Sequence, residues 1–216
     1  MIPPDQFIGP AEQTGLITPL TQWVLRSALG QHQTWHEMGL DFPVSINLST
    51  RNLLDPKLPE FITELLNTSG VAPGSLELEI TESAIMEDPE AASGFIKCLK
   101  AIGIRFSIDD FGVGYTSLSY LKKLPIDTLK IDKSFVINMT RNENDLIIVR
   151  STIDLAKNLG LTVVAEGVEN QETFDQLLNL GCNDAQGYLM SRPLPADDLT
   201  CWIKESQWGL RAGIKV

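Results

Sequence analysis

Asp109 and Asp110 stand side by side at the end of the apolar run Ile104 to Ile108, followed by the glycine-punctuated segment Phe111-Gly112-Val113-Gly114-Tyr115. Two adjacent carboxylates at a strand end are costly unless positive charge sits among them and their neighbours. Other apolar runs end in polar groups of the same kind: Asn47, Glu79 with Glu82, Lys130 with Asp132, Glu166 with Glu169, and Gln186. In a parallel α/β fold these strand ends share one face, where active sites sit. Glu79, Asp109, Asp110 and Glu166 set against Lys130 leave that face about three positive charges short. Two divalent cations correct the deficit, and oxygen donors without histidine or cysteine favour Mg²⁺ or Mn²⁺ over zinc. Paired cations bridged by an aspartate suit in-line displacement at phosphorus. Asp109, read as the last residue of its strand, is the candidate bridge, and phosphodiester hydrolysis is the favoured reaction class.

Plainer readings compete with parts of this picture. Glu77 and Glu79 alternate with Leu76, Leu78 and Ile80, which equally describes the solvent face of an amphipathic strand. Lys130 can likewise be read as a surface lysine. What favours chemistry is repetition at one topological position. His32 and His36 lie four apart on an expected helix, as zinc ligands can, but the glutamate of an HExxH motif and a third ligand are missing. They are read as a solvated or capping pair. Gly112-Val113-Gly114-Tyr115-Thr116-Ser117 lacks the third glycine of a dinucleotide-binding loop and is set aside.

These groups need elements to hold them, and the chain supplies an alternating series. Expected strands start near residues 44, 76, 104, 128, 161 and 185, with amphipathic helices between them. Leu58, Phe61, Ile62, Leu65 and Leu66 mark one helix, and Phe95, Ile96, Leu99 and Ile102 another. Asn144 is the expected cap of a helix running to Gly160, and Gly70, Gly103, Gly160 and Gly181 fit helix C-caps. The last strand is expected over Ala185 to Met190. Repeated β-then-α units imply a parallel sheet with helical crossovers, as a barrel or an open doubly wound sheet. One domain over residues 1–205 is expected, with 206–216 as a C-terminal tail.

At 216 residues and 43% hydrophobic content the chain can bury a substantial core. A formal charge of -11 argues against a duplex nucleic-acid groove, which needs a basic stripe. Cys98, Cys182 and Cys201 form no CxxC pair and read as reduced thiols, hence a cytoplasmic setting. No apolar run approaches the ~18 residues of a membrane span, so no membrane contact is expected from this chain, which could still be the cytoplasmic part of a membrane-anchored parent.

In order along the chain, Phe7-Ile8-Gly9-Pro10-Ala11-Glu12-Gln13-Thr14-Gly15-Leu16-Ile17, Asn47-Leu48-Ser49, Glu77-Leu78-Glu79-Ile80-Thr81-Glu82-Ser83, Asp109-Asp110-Phe111-Gly112, Leu129-Lys130-Ile131-Asp132, Ala165-Glu166-Gly167-Val168-Glu169 and Gln186-Gly187-Tyr188 closely resemble the EAL domain family. The resemblance implies a TIM-like (β/α) barrel that hydrolyses cyclic-di-GMP to linear pGpG with two Mg²⁺ or Mn²⁺ ions, in bacterial second-messenger control of biofilm and motility. It implies that Asn47, Glu79 and Asp109 hold one metal and Asp109, Asp110 and Glu166 the other. Lys130 matches the lysine that holds the catalytic water, so Glu166, Lys130, Asp109 and Asp110 form the expected catalytic set. Gln186, Tyr188 and Pro193 match positions near substrate, and Glu82 and Glu169 match residues bracing the loop that starts at Asp110.

Two departures stand out. The Glu-Ala-Leu strand of the family lies upstream of the segment matching Phe7 to Ile17 and is not in this chain, so the barrel is expected to show about six of eight strands and one metal ligand fewer. Weak or absent hydrolysis by this chain is expected, the alternatives being a non-catalytic cyclic-di-GMP receptor or a dimerisation module. Open strand edges predict a homodimer or an edge-swapped oligomer. Val113 replaces a usual threonine, and Thr116 a common serine.

Overall fold

Among the described residues six strands pair in chain order and every pair is parallel: β1 (Val44–Leu48), β2 (Leu76–Thr81), β3 (Arg105–Phe111), β4 (Thr128–Ile131), β5 (Thr162–Glu166) and β6 (Asp184–Gln186). The structure, a computed structural model, describes residues 3–114 and 118–209; Tyr115, Thr116 and the tail beyond residue 209 lie outside them. Helices α1 (Ile8–Thr14) and α2 (Ile17–Glu37) precede β1, and α3 (Thr50–Leu53) and α4 (Leu58–Ser69) lead to β2. Then α5 (Glu82–Glu87), α6 (Pro89–Lys100), α7 (Leu118–Leu121), α8 (Lys133–Val136), α9 (Glu143–Leu159) and α10 (Gln171–Leu180) fill the remaining crossovers, and α11 (Ala196–Glu205) follows β6. Six parallel strands with surrounding helices make a TIM-like half-barrel.

Strand alternation decides how the layers meet. Leu76, Leu78 and Ile80, with Phe106, Ile108, Leu129, Ile131, Val163 and Ala165, are buried in one core together with Ile62, Ile96 and Ile153 from the helices. The opposite face of the sheet is polar, yet it is buried where the acidic groups sit. Glu77 and Glu79 are only 7% and 6% exposed, and Lys130 5%. The solvent-face reading of β2 and the surface reading of Lys130 therefore fail, because the half-barrel encloses its own inner face.

A second, smaller cluster joins the two ends of the chain. Trp35 of α2, Leu40 and Ile203 of α11 are buried together, with Phe42, Leu199 and Trp202 packed around them. The Trp35 indole Nε1 donates to Thr200 Oγ1 at 2.8 Å. Trp208 packs edge-on against Phe174 of α10, with ring centroids 5.0 Å apart.

Several expected boundaries move. β3 continues through Asp109 and Asp110 to Phe111, so Asp109 is not the strand's last residue. β6 stops at Gln186 instead of reaching Met190, since the Leu189 amide donates to the Val168 carbonyl rather than extending a ladder. Asn142, not Asn144, caps α9, its side chain accepting from the Asn144 amide. Gly70, Gly160 and Gly181 close their helices as expected, but α6 ends at Lys100, short of Ile102 and Gly103.

Candidate active site

Parallel register aligns the polar groups at the carboxyl ends of the strands. Asn47 of β1 pairs in register with Glu79 of β2, Thr81 with Asp109, and Glu166 of β5 with Gln186 of β6. Between Ile108↔Leu129 and Phe111↔Ile131 the ladder slips, so that Asp109 and Asp110 together oppose Lys130. This is a β-bulge, two residues against one, a device that re-aims side chains beside functional sites. Asp110 carries φ +53°, the one described non-glycine residue with positive φ; aspartate tolerates that region better than most residues. Both carboxylates of the pair are thereby brought to one side of the lysine, which strict alternation would forbid.

Lys130 is the hub. Its Nζ donates to Glu79 Oε2 at 2.7 Å, pairs with Glu166 Oε1 at 2.6 Å, and lies 3.4 Å from Asp109 Oδ1. Burial alone works to lower the lysine, but the charges of Glu79 and Asp109 and the hydrogen bonds to Glu166 and Glu79 outweigh it and hold its pKa above the ordinary value. It is an ammonium throughout the physiological range. One ammonium cannot balance the surrounding carboxylates. Glu166 is held above its ordinary value by burial, with Asp109 and Glu79 adding to it against the pull of Lys130. Asp110 is raised by burial and then by the charges of Asp109 and Asp132.

That residual negative charge is what a cation would meet. Asp109, Asp110 and Glu166 each offer a carboxylate oxygen within 4.8 Å of the others. The donors are all oxygen, and two of the three carboxyls are shifted upward, by burial first and then by neighbouring carboxylates, so these residues fit a hard divalent ion.

The loop after Asp110 is tied to the site from below. Glu82, buried at 4%, accepts from the amides of Gly112 and Gly114 at 3.1 and 3.2 Å. A Cβ on Gly114 would meet Glu82 Cδ at 2.9 Å, so the loop lies against the carboxylate. Glu169 is exposed and makes no such bond to the described part of the loop. Across the site, the Val168 amide donates to the Gln186 carbonyl at 3.0 Å, joining the ends of β5 and β6.

Gln186 and Tyr188 are exposed at the rim, as is Pro193. Two participants went unassigned in the sequence. Asp132 is buried, caps α8 through the Ser134 amide and hydroxyl, and its charge helps to raise Asp110; the sequence places it at a strand end without giving it a role. Arg192 lies over the Tyr188 ring, 4.5 Å from its centroid, and no local pattern marked it.

A TIM-like half-barrel with a buried lysine among strand-end carboxylates defines the class: an α/β domain whose acidic centre suits divalent cations. The EAL domain family model matches residues 1–193, and the chain belongs to that family. It is 40% identical over 200 residues to the bifunctional diguanylate cyclase/cyclic di-GMP phosphodiesterase MucR of Pseudomonas aeruginosa, covering 92% of this chain and 29% of MucR. It is 45% identical over 202 residues to a signaling protein of Caulobacter vibrioides, covering 94% of this chain and 25% of that protein. The chain thus spans between a quarter and a third of the length of these curated relatives. Among solved structures, the MucR phosphodiesterase in complex with c-di-GMP superposes with a TM-score of 0.89 at 41% identity, covering 92% of this chain and 81% of that one. The EAL domain of Mycobacterium smegmatis DcpA gives 0.81 at 40% identity, covering 87% and 86%. Among the described residues, no helix is long and apolar enough to cross a membrane.

Proposed function

We propose that this chain is a phosphodiesterase domain that hydrolyses cyclic-di-GMP to linear pGpG by two-metal catalysis. The observation that carries the reading is the convergence of Glu79, Asp109 and Glu166, from three strands, on the buried ammonium of Lys130. The likeness to the MucR phosphodiesterase in its c-di-GMP complex supports the choice of substrate.

Asn47, Glu79 and Asp109 would hold one ion, and Asp109, Asp110 and Glu166 the other. When bound, Mg²⁺ or Mn²⁺ supplies Lewis-acid stabilisation to the oxygens of an in-line displacement at phosphorus. The chain's own residues do the rest. Lys130, fixed as an ammonium, donates a hydrogen bond that orients the attacking water. Gln186 lies beside the reacting phosphate, and Tyr188 and Pro193 line the guanine end at the rim. Glu82 braces the loop that starts at Asp110. The reaction adds water across one phosphodiester bond: a P–O bond to water forms, the bond to the ribose oxygen breaks, and that oxygen takes up a proton.

Residues 1–216 contain no Glu-Ala-Leu tripeptide, so hydrolysis by these residues alone is expected to be weak. Chromatographic assay of cyclic-di-GMP turnover, on this chain and on one extended upstream, tests the reading. Turnover by the extended chain supports it; inactivity with both Mg²⁺ and Mn²⁺ sinks it and leaves binding without catalysis.

A second reading concerns assembly. β1 pairs only with β2, and β6 only with β5, among the described residues, which leaves two strand edges able to pair with another chain. Self-association across these edges predicts a sedimentation mass above the monomer at micromolar concentration. A clean monomer overturns it.

A further inference from the structure

The amino-terminal end of the strands, away from the acidic centre, carries both histidines of the chain, and the acidic centre uses neither. His32 and His36 lie one turn apart on α2, their rings 9° from parallel with centroids 6.4 Å apart. Far from being solvated, His32 is 3% exposed, and neither of its ring nitrogens has a hydrogen-bond partner. An imidazole buried with both nitrogens unmet is costly unless an ion or a water meets one of them.

The ring borders a cavity of about 160 Å³, which is also lined by His36, Asp41, Ser69 and Gly70. Two helices end there. His36 sits in the last turn of α2, and Gly70 is the C-cap of α4. Helix C-termini carry partial negative charge, so their carbonyl ends favour a cation in this position. Asp41 adds a full negative charge, with its Oδ1 3.8 Å from His36 Nδ1.

We propose that His32, His36 and Asp41 form a second metal site, for a transition cation of the Zn²⁺ class, which clamps the end of α2 to the segment before β1. Histidines at i and i+4 present nitrogens on one helix face, and two imidazoles with a carboxylate form a common zinc donor set. The donor chemistry separates it from the all-oxygen centre at the other end of the strands. Closing the site requires the rings to approach from 6.4 Å. The side chains that move are those of His36 and Asp41, which are 67% and 72% exposed.

The chain's two histidines make the test direct. Zn²⁺ is titrated into protein already saturated with Mg²⁺ while the imidazole C–H resonances are followed by NMR, with calorimetry in parallel. Both histidine signals are expected to shift together. His36→Ala and Asp41→Asn, exposed positions that should leave the fold intact, are expected to weaken zinc binding about tenfold or more and to abolish any rise in melting temperature on adding zinc. Histidine signals that ignore zinc, or a His36→Ala protein that binds it as tightly as the parent, overturn the proposal and leave a water as the partner of His32.

Discussion

Lys130 shows how one side chain can determine the state of a site. Its side chain is 6% exposed and faces Glu79 and Glu166 at 2.7 and 2.6 Å. Breaking a buried ion pair by removing one partner strands the other charge, typically at about 3–5 kcal/mol. Lys130→Met should therefore lower the melting temperature in the absence of divalent ions, and added Mn²⁺ should recover more stability in this variant than in the parent. Differential scanning fluorimetry with and without Mn²⁺ measures both, and equal responses would contradict the placement of the cations. Cys182 gives a pH-dependent prediction. Burial pushes its thiol up to about 11, and its Sγ lies 3.3 Å from the Asp184 carbonyl. Because the shift is upward, the reactive thiolate is scarce at pH 8, about one part in a thousand, and increases about tenfold per pH unit toward 10. Iodoacetamide should label the exposed Cys98 and Cys201 first and Cys182 slowly, with the slow rate climbing with pH; mass spectrometry of native protein follows the three thiols.

At the scale of elements, the site depends on loops held at close range. Gly187 follows β6, and a Cβ there would lie 2.1 Å from the Val168 carbonyl oxygen. The clash is with backbone, which cannot rotate away, and it falls where the Val168 amide and carbonyl tie the loop after β5 to Gln186 and Leu189. Gly187→Ala is expected to cost about 1–3 kcal/mol or more, seen as a lower urea midpoint, and to reduce turnover in an extended, active chain. An unchanged midpoint would show that the two loops separate freely. The bulge in β3 belongs to the same scale. Alternation alone would send Asp109 and Asp110 to opposite faces; two residues opposing Lys130 let neighbours in sequence serve one site.

At the scale of the whole molecule, the contact between α2 and α11 joins segments 165 residues apart. Trp35 is 7% exposed there, and its indole supplies both packing and a hydrogen bond to Thr200. Trp35→Ala should cost about 3–5 kcal/mol and detach α11, making it sensitive to limited proteolysis near residues 196–205 while the acidic centre keeps its affinity for Mn²⁺. Loss of metal binding together with the helix would mean that the two regions fold as one cooperative unit.

The amino-acid sequence by itself determined the alternation of strands with helices and the polar residues gathered near the strand ends, because apolar periodicity and the polar residues that interrupt it are local properties. The acidic strand ends also disclosed the need for positive charge. Tertiary structure decided what local pattern cannot carry. Whether Glu77, Glu79 and Lys130 face water or the inside depends on the curvature of the sheet, which closes only when all six strands are paired. Whether Asp109 and Asp110 share a side depends on a register slip against β4, a segment about twenty residues away. His32 reads as an ordinary helical histidine until α4 and the loop before β1 pack around it and take its solvent away.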